Sequence, residues 1–162
     1  MDKIMFAKLR EGAVIPSKRD EDSDYDLYAC FDEEEMVIPP FSTAYVPTGI
    51  ISAFDDTLGV RFEERGSNTK WCGIVQAGVV DSGYRGEWFA AMYNGNPVPV
   101  HITKAVTDVM RCEDRVLVPY CKAVCQFNVR HIPKVEIMEM KPEEILAMES
   151  QRGAGRLGSS GK

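Results

Sequence analysis

Hydrophobic and polar positions along the chain change over in short runs and never settle into a sustained helical period. Val, Ile, Tyr and Phe gather in stretches of a few residues, and Pro, Gly, Asn and Asp separate them. The pattern predicts strands near 2–9, 25–31, 36–38, 43–52, 58–64, 72–80, 86–93, 98–102, 115–118, 122–130 and 134–139. So many short strands in one chain predict an all-β sandwich or barrel. One helix is expected at 142–150, where Pro142 suits the first turn and Glu143 and Glu144 oppose the positive helix end. Ile145, Leu146 and Met148 would form its apolar side. Residues 151–162 follow with four glycines and little apolar content, so a mobile tail is expected after a β domain at 1–150. Residues 95–115 are long for a hairpin connection and are expected to carry a strand pair of their own.

Composition narrows the function. A chain of 162 residues, 44% hydrophobic and 27% charged, fits one globular domain whose core needs no disulfide or metal staple. The formal charge of -6 has the wrong sign for holding duplex phosphates, so no nucleic-acid partner is expected. Charge is also unevenly placed: residues 20–35 hold nine acids and no base, whereas 151–162 hold Arg152, Arg156 and Lys162 and no acid. The tail therefore suits an anion. No run approaches the roughly 18–20 apolar residues that span a bilayer, and the amino terminus lacks a signal-peptide core. A cytoplasmic protein with no membrane partner is expected. Cys30, Cys72, Cys112, Cys121 and Cys125 form no CxxC pair and are expected to be reduced, mostly structural thiols, with Cys121 and Cys125 in core packing.

Several segments offer chemistry. Gly153, Gly155 and Gly158 have dinucleotide-fingerprint spacing, but only four residues follow Gly158, so the required helix has no room. A Walker loop fails as well, because Ser159 stands where its lysine belongs. What remains is an anion grip of backbone N–H groups, the Ser159 and Ser160 hydroxyls and the Arg152 guanidinium; alone, the tract reads sooner as a disordered end with chance basic residues. Asp81 follows Val79 and Val80 and precedes a Ser-Gly turn, which sets an acid on a hairpin rim where it can act as a base. Tyr84 can pack its ring on a ligand and Arg85 can reach a carboxylate or phosphate, although the segment alone is also an ordinary β-turn. Arg65, Gly66, Ser67 and Thr69 form a second phosphate grip, and Asp26 suits either a turn or a metal-bound water. Gln126 is an amide within an apolar strand and needs partners there. His101 and His131 lack the zinc nucleobase deaminase pattern.

In order, YDLYA (25–29), ERGSNT (64–69), AGVVDSGYRGEW (77–88), AVCQFNV (123–129) and RGAGRLGSSG (152–161) resemble the five motifs of the trimeric dUTP nucleotidohydrolases. The resemblance implies a jelly roll assembled as a homotrimer, with active sites shared among subunits and closed by the carboxy-terminal tail. It implies Mg2+-assisted hydrolysis of dUTP to dUMP and pyrophosphate, which keeps uracil out of DNA. Carried over by motif, Asp81 is the base that activates water, Tyr84 packs on the deoxyribose, and Gly78, Val79 and Val80 read uracil through the main chain. Arg65, Gly66 and Ser67 match the second motif, and Arg152, Gly158, Ser159 and Ser160 match the phosphate-covering tail. Asp26 and Gln126 match residues that act on metal through water. Two positions depart from the family: Gly66 stands where a serine is usual, and Leu157 stands where phenylalanine is usual. The 95–115 segment lies where some phage enzymes carry an added piece and is read as a partner-binding or regulatory surface. The alternatives are a dCTP deaminase-like enzyme and a nucleotide-binding regulatory protein acting through 95–115.

Overall fold

The computed structural model describes residues 2–155, and every predicted apolar run except 134–139 forms strand there. The first half contributes β1 (Ile4–Lys8), β2 (Tyr25–Tyr28), β3 (Glu35–Ile38), β4 (Thr43–Pro47), β5 (Ile50–Phe54) and β6 (Leu58–Glu63). A 3₁₀ turn, Gly66–Lys70, precedes β7 (Gly73–Gln76), β8 (Val79–Val80) and β9 (Phe89–Asn94). The remainder holds β10 (Val100–Thr103), β11 (Met110–Arg111), β12 (Val116–Pro119), β13 (Ala123–His131) and the single-turn helix α1 (Pro142–Leu146). The strands pair as β1-β5, β11-β12-β10-β3, β2-β13-β6-β8 and β4-β9-β7. These short sheets enclose one apolar core in a β sandwich of jelly-roll type, as expected from the sequence.

Binary patterning explains which faces turn inward. β5 alternates buried and half-buried residues, so Ile50, Ser52 and Phe54 face the core. β9 is buried at Ala90, Ala91 and Met92 in succession, as a central strand between β4 and β7 should be. The core gathers round Trp88, whose ring meets Phe6, Phe127 and Phe62 at centroid distances of 5.2, 5.3 and 5.5 Å. Its indole N–H donates to Ser52 Oγ at 3.1 Å, so the largest core side chain leaves no polar atom unpaired.

Six sequence expectations are corrected, the last of them the 95–115 segment. The run 43–52 is two strands, because Gly49 takes a positive φ of 69° and its N–H donates to Glu87 Oε1 at 2.8 Å instead of continuing a ladder. The run 72–80 also breaks, at Ala77, whose φ of 47° turns the chain between β7 and β8. Residues 134–139 form no strand: Val135 and Ile137 alternate suitably but, like Met138, are exposed, with no sheet edge pairing them. The helix ends at Leu146 rather than 150, because none of its residues is buried and one turn without packing does not propagate. Cys72, Cys112 and Cys121 are exposed, so only Cys30 and Cys125 are core thiols; burial pushes the Cys125 thiol well above its ordinary pKa.

The 95–115 segment is corrected in kind. It does not fold back on itself: β10 lies between β3 and β12, and β11 pairs with β12, whose residues lie beyond the segment. Val100 and Ile102 are fully buried, so this part is sheet interior, whereas 104–115 is largely exposed, with Val109 packed against the core. The chain divides into the units Met1–Ile132 and Pro133–Lys162, with α1 in the second. Among the described residues no helix is long and apolar enough to cross a membrane.

Candidate active site

Strand register brings together residues that stand far apart in sequence. β13 pairs with β2 on one side and β6 on the other, setting Gln126 opposite both Asp26 and Glu63. Gln126 Nε2 donates to Glu64 O at 3.0 Å, which supplies the partner a strand amide needs. The ladder slips between Ala123 and Cys125, a β-bulge. The Ala123 and Val124 carbonyls beside it accept hydrogen bonds from Arg65 Nη1 at 3.2 Å and Asn68 Nδ2 at 3.1 Å. Arg65 also pairs with Asp26 through Nε at 2.9 Å. Asp26, Arg65, Gly66, Ser67 and Gln126 thus line one cavity of about 780 Å³.

The rest of that cavity is the loop before β2, which sequence reasoning did not assign. Lys18 Nζ donates to Asp22 O at 2.8 Å and lies 5.5 Å from the Tyr25 ring centroid. Arg19 Nε meets Asp22 at 2.9 Å and holds the Asp22 carboxyl below the usual carboxylate range by hydrogen bonding. These two bases stand just ahead of the acidic run 20–35, outside any motif that points to the site.

The second predicted cluster lies on the β8 hairpin. Phe62 N–H donates to Gly78 O at 2.7 Å, and a Cβ at Gly78 would fall 2.9 Å from Phe62 Cβ and 3.0 Å from its carbonyl oxygen, so this approach requires glycine. The left-handed Ala77 just before it adds backbone strain at the same turn. Tyr84 N–H closes the next turn on Asp81 O at 3.0 Å, and the Tyr84 hydroxyl donates to Glu87 O at 3.0 Å, which fixes the ring's direction. Val79, Val80, Asp81 and Tyr84 line a separate cavity of about 280 Å³, with Asp81 solvent-exposed. The two cavities share no lining residue. β2 and β8 are outer strands of one four-stranded sheet, so three strand spacings, about 14 Å, separate them.

Arg152 is exposed in the second unit, where its Nε donates to Gly155 O at 3.3 Å. Leu157, Gly158, Ser159, Ser160 and most of the expected mobile tail lie outside the described residues.

A family model described as dUTPase matches residues 10–161. The chain belongs to the dUTPase family. The deoxyuridine 5'-triphosphate nucleotidohydrolase of Mycobacterium marinum is 28% identical over 165 residues, covering 99% of this chain and 96% of that one. Among solved structures, the Staphylococcus bacteriophage 80alpha dUTPase with dUPNHPP superposes at a TM-score of 0.76 with 18% identity, over 99% of both chains. A dUTPase from phage phi11 of S. aureus, described for its coordination of a structural Mg(II) ion, gives 0.68 with 17% identity over 86% of this chain and 97% of that one. For a dUTPase-family metal the donor set here is telling. Among the described residues no three His, Cys, Asp or Glu side chains gather to hold an ion directly. Asp26 faces Arg65 and Gln126 offers one amide oxygen, which fits an ion bound through water and retaining ligands of its own, as magnesium does.

Proposed function

We propose that this chain hydrolyses dUTP to dUMP and pyrophosphate as a homotrimer. The dUTPase match over residues 10–161 carries the reading. In it, Asp81 accepts a proton from water as the water oxygen bonds to the α-phosphorus. The bond from that phosphorus to the bridging oxygen breaks, and pyrophosphate leaves with the electron pair. Arg65 and Ser67 grip the triphosphate, with Gly66 supplying backbone at the same cavity wall. Asp26 and Gln126 would hold, through water, the magnesium ion whose charge offsets that of the triphosphate. Gly78, Val79 and Val80 present main-chain groups to uracil, and Tyr84 closes against the sugar. Arg152, Leu157, Gly158, Ser159 and Ser160 close over the bound nucleotide from the tail.

The separation of the two cavities supports a shared site. Because the hairpin and the phosphate grip line cavities with no residue in common, a hairpin from one copy is read as meeting a grip from another. The exposed stretch 104–115 is offered in the same reading as a surface for a protein partner; a binding assay with residues 104–109 deleted checks it.

Purified protein is to be mixed with Mg2+ and, separately, dUTP, dCTP, dTTP and UTP, with EDTA in a parallel set. Pyrophosphate from dUTP alone, lost in EDTA, is expected. Ammonia from dCTP would transfer the protein to the deaminases, and silence with every nucleotide would leave a binding protein. Gly66→Ser refines the phosphate grip: a Cβ there meets nothing within 4 Å, so the variant is expected to fold normally. Its added hydroxyl should lower the KM for dUTP by about two- to fivefold, and an unchanged or raised KM would remove Gly66 from the grip.

A further inference from the structure

The 3₁₀ turn that carries Ser67 is anchored at both ends, and one anchor lies outside every family motif. At its start, Arg65 binds Asp26 and the bulged Ala123 carbonyl. At its end, the chain turns sharply through Cys72, which has a φ of 53°. The Lys70 and Trp71 carbonyls there point out of the turn and need donors. Arg111 Nη1 donates to Lys70 O at 3.1 Å, and its Nη2 donates to Asn96 Oδ1 at 2.8 Å. Asn96, 1% exposed, donates Nδ2 to Trp71 O at 2.7 Å and to Asn94 Oδ1 at 2.8 Å. Asn94, fully buried, donates in turn to Ile38 O and Val98 O, each at 3.0 Å. The end of the phosphate turn is therefore tied through one polar chain to the sheet interior, with Arg111 as its outer clamp.

We infer that Arg111 is a positioning residue for the triphosphate grip, holding the Gly66–Lys70 turn in register so that Arg65 and Ser67 meet the phosphates. The inference rests on the functional reading above. An arginine suits the task because its planar fork serves two acceptors at once, whereas a lysine ammonium is a single point donor. Without the guanidinium, Lys70 O and Asn96 Oδ1 each lose a charge-assisted bond. The turn then relaxes from its carboxyl end, while the uracil hairpin, which shares no lining residue with the phosphate cavity, keeps its geometry.

The test compares ligands that differ in phosphate. For Arg111→Ala, the KM for dUTP and the inhibition constant of pyrophosphate are expected to rise about three- to tenfold with kcat within about twofold, because the lost interaction is uniform binding. Inhibition by deoxyuridine should stay unchanged. Arg111→Lys should recover part of the loss, and Arg115→Ala, whose ion pair is with its exposed neighbour Asp114, should match the native chain. Equal shifts for pyrophosphate and deoxyuridine, or none for either, would overturn the assignment. If Arg111→Ala does not fold, the same ratio measured on Arg111→Lys decides. Failure of the native chain to hydrolyse dUTP would sink the functional reading alone, since calorimetric titration of the native chain and Arg111→Ala with pyrophosphate and with deoxyuridine still reports on the clamp.

Discussion

Asp81→Asn is expected to lower dUTP turnover by about 10²–10⁴-fold, the range for losing a positioned general base, while nucleotide binding persists. The amide matches the carboxylate in size and cannot take up a proton at neutral pH. The turn itself does not depend on the side chain, because the Asp81 carbonyl is what accepts the Tyr84 N–H. Val79, Val80 and Tyr84 should therefore stay in place, and a dUTP analogue should bind with little change. Steady-state kinetics alongside calorimetric binding checks both parts. Native-like turnover would show that another group activates the water.

Trp88→Ala is expected to cost about 3–5 kcal/mol of stability, the usual range for deleting a large buried aromatic. The indole is 1% exposed and is the common neighbour of Phe6, Phe62 and Phe127, so its removal opens a void that three separate strands line. Ser52, itself buried, also loses its hydrogen-bond partner. Urea midpoints with an unchanged slope would report the loss as pure destabilisation. Trp88→Phe should lose less, since it keeps ring contacts and forfeits mainly volume and the Ser52 bond. No fall in midpoint for Trp88→Ala would mean that the core is not organised round this ring.

The class of fold was legible because strand formation here follows burial, and burial leaves an alternating mark, as at Ile50, Ser52 and Phe54. The same mark misleads at Val135 and Ile137: alternation shows that a segment could pair, not that an edge is there to receive it, and Ile137 is 91% exposed. Met110 and Arg111 show the reverse error, pairing with β12 through their backbones although both side chains are exposed and only two residues take part. In the candidate site, Asp26, Arg65, Ser67 and Gln126 were legible from motif order, and the register gathers them in one cavity. The bulge beside Ala123 was not, because an extra residue in a ladder is a relation between two strands and leaves no local trace. Asn68 was passed over for a similar reason. Its polar side chain reads as surface until the Val124 carbonyl is seen above it.

β10 and β12 run parallel, so the chain must return the length of a strand before it can pair again. Residues 104–115 are that return path, and unlike a hairpin turn, whose length dictates register, a crossover sets no register in the strands it joins. Doubling a flexible loop costs only about 0.6 kcal/mol in closure entropy. Ahead of Arg111, between Lys104 and Asp108, the fold therefore has a natural docking bay for foreign sequence: a peptide tag or small cargo domain spliced there would be displayed on the sandwich without altering which strands meet.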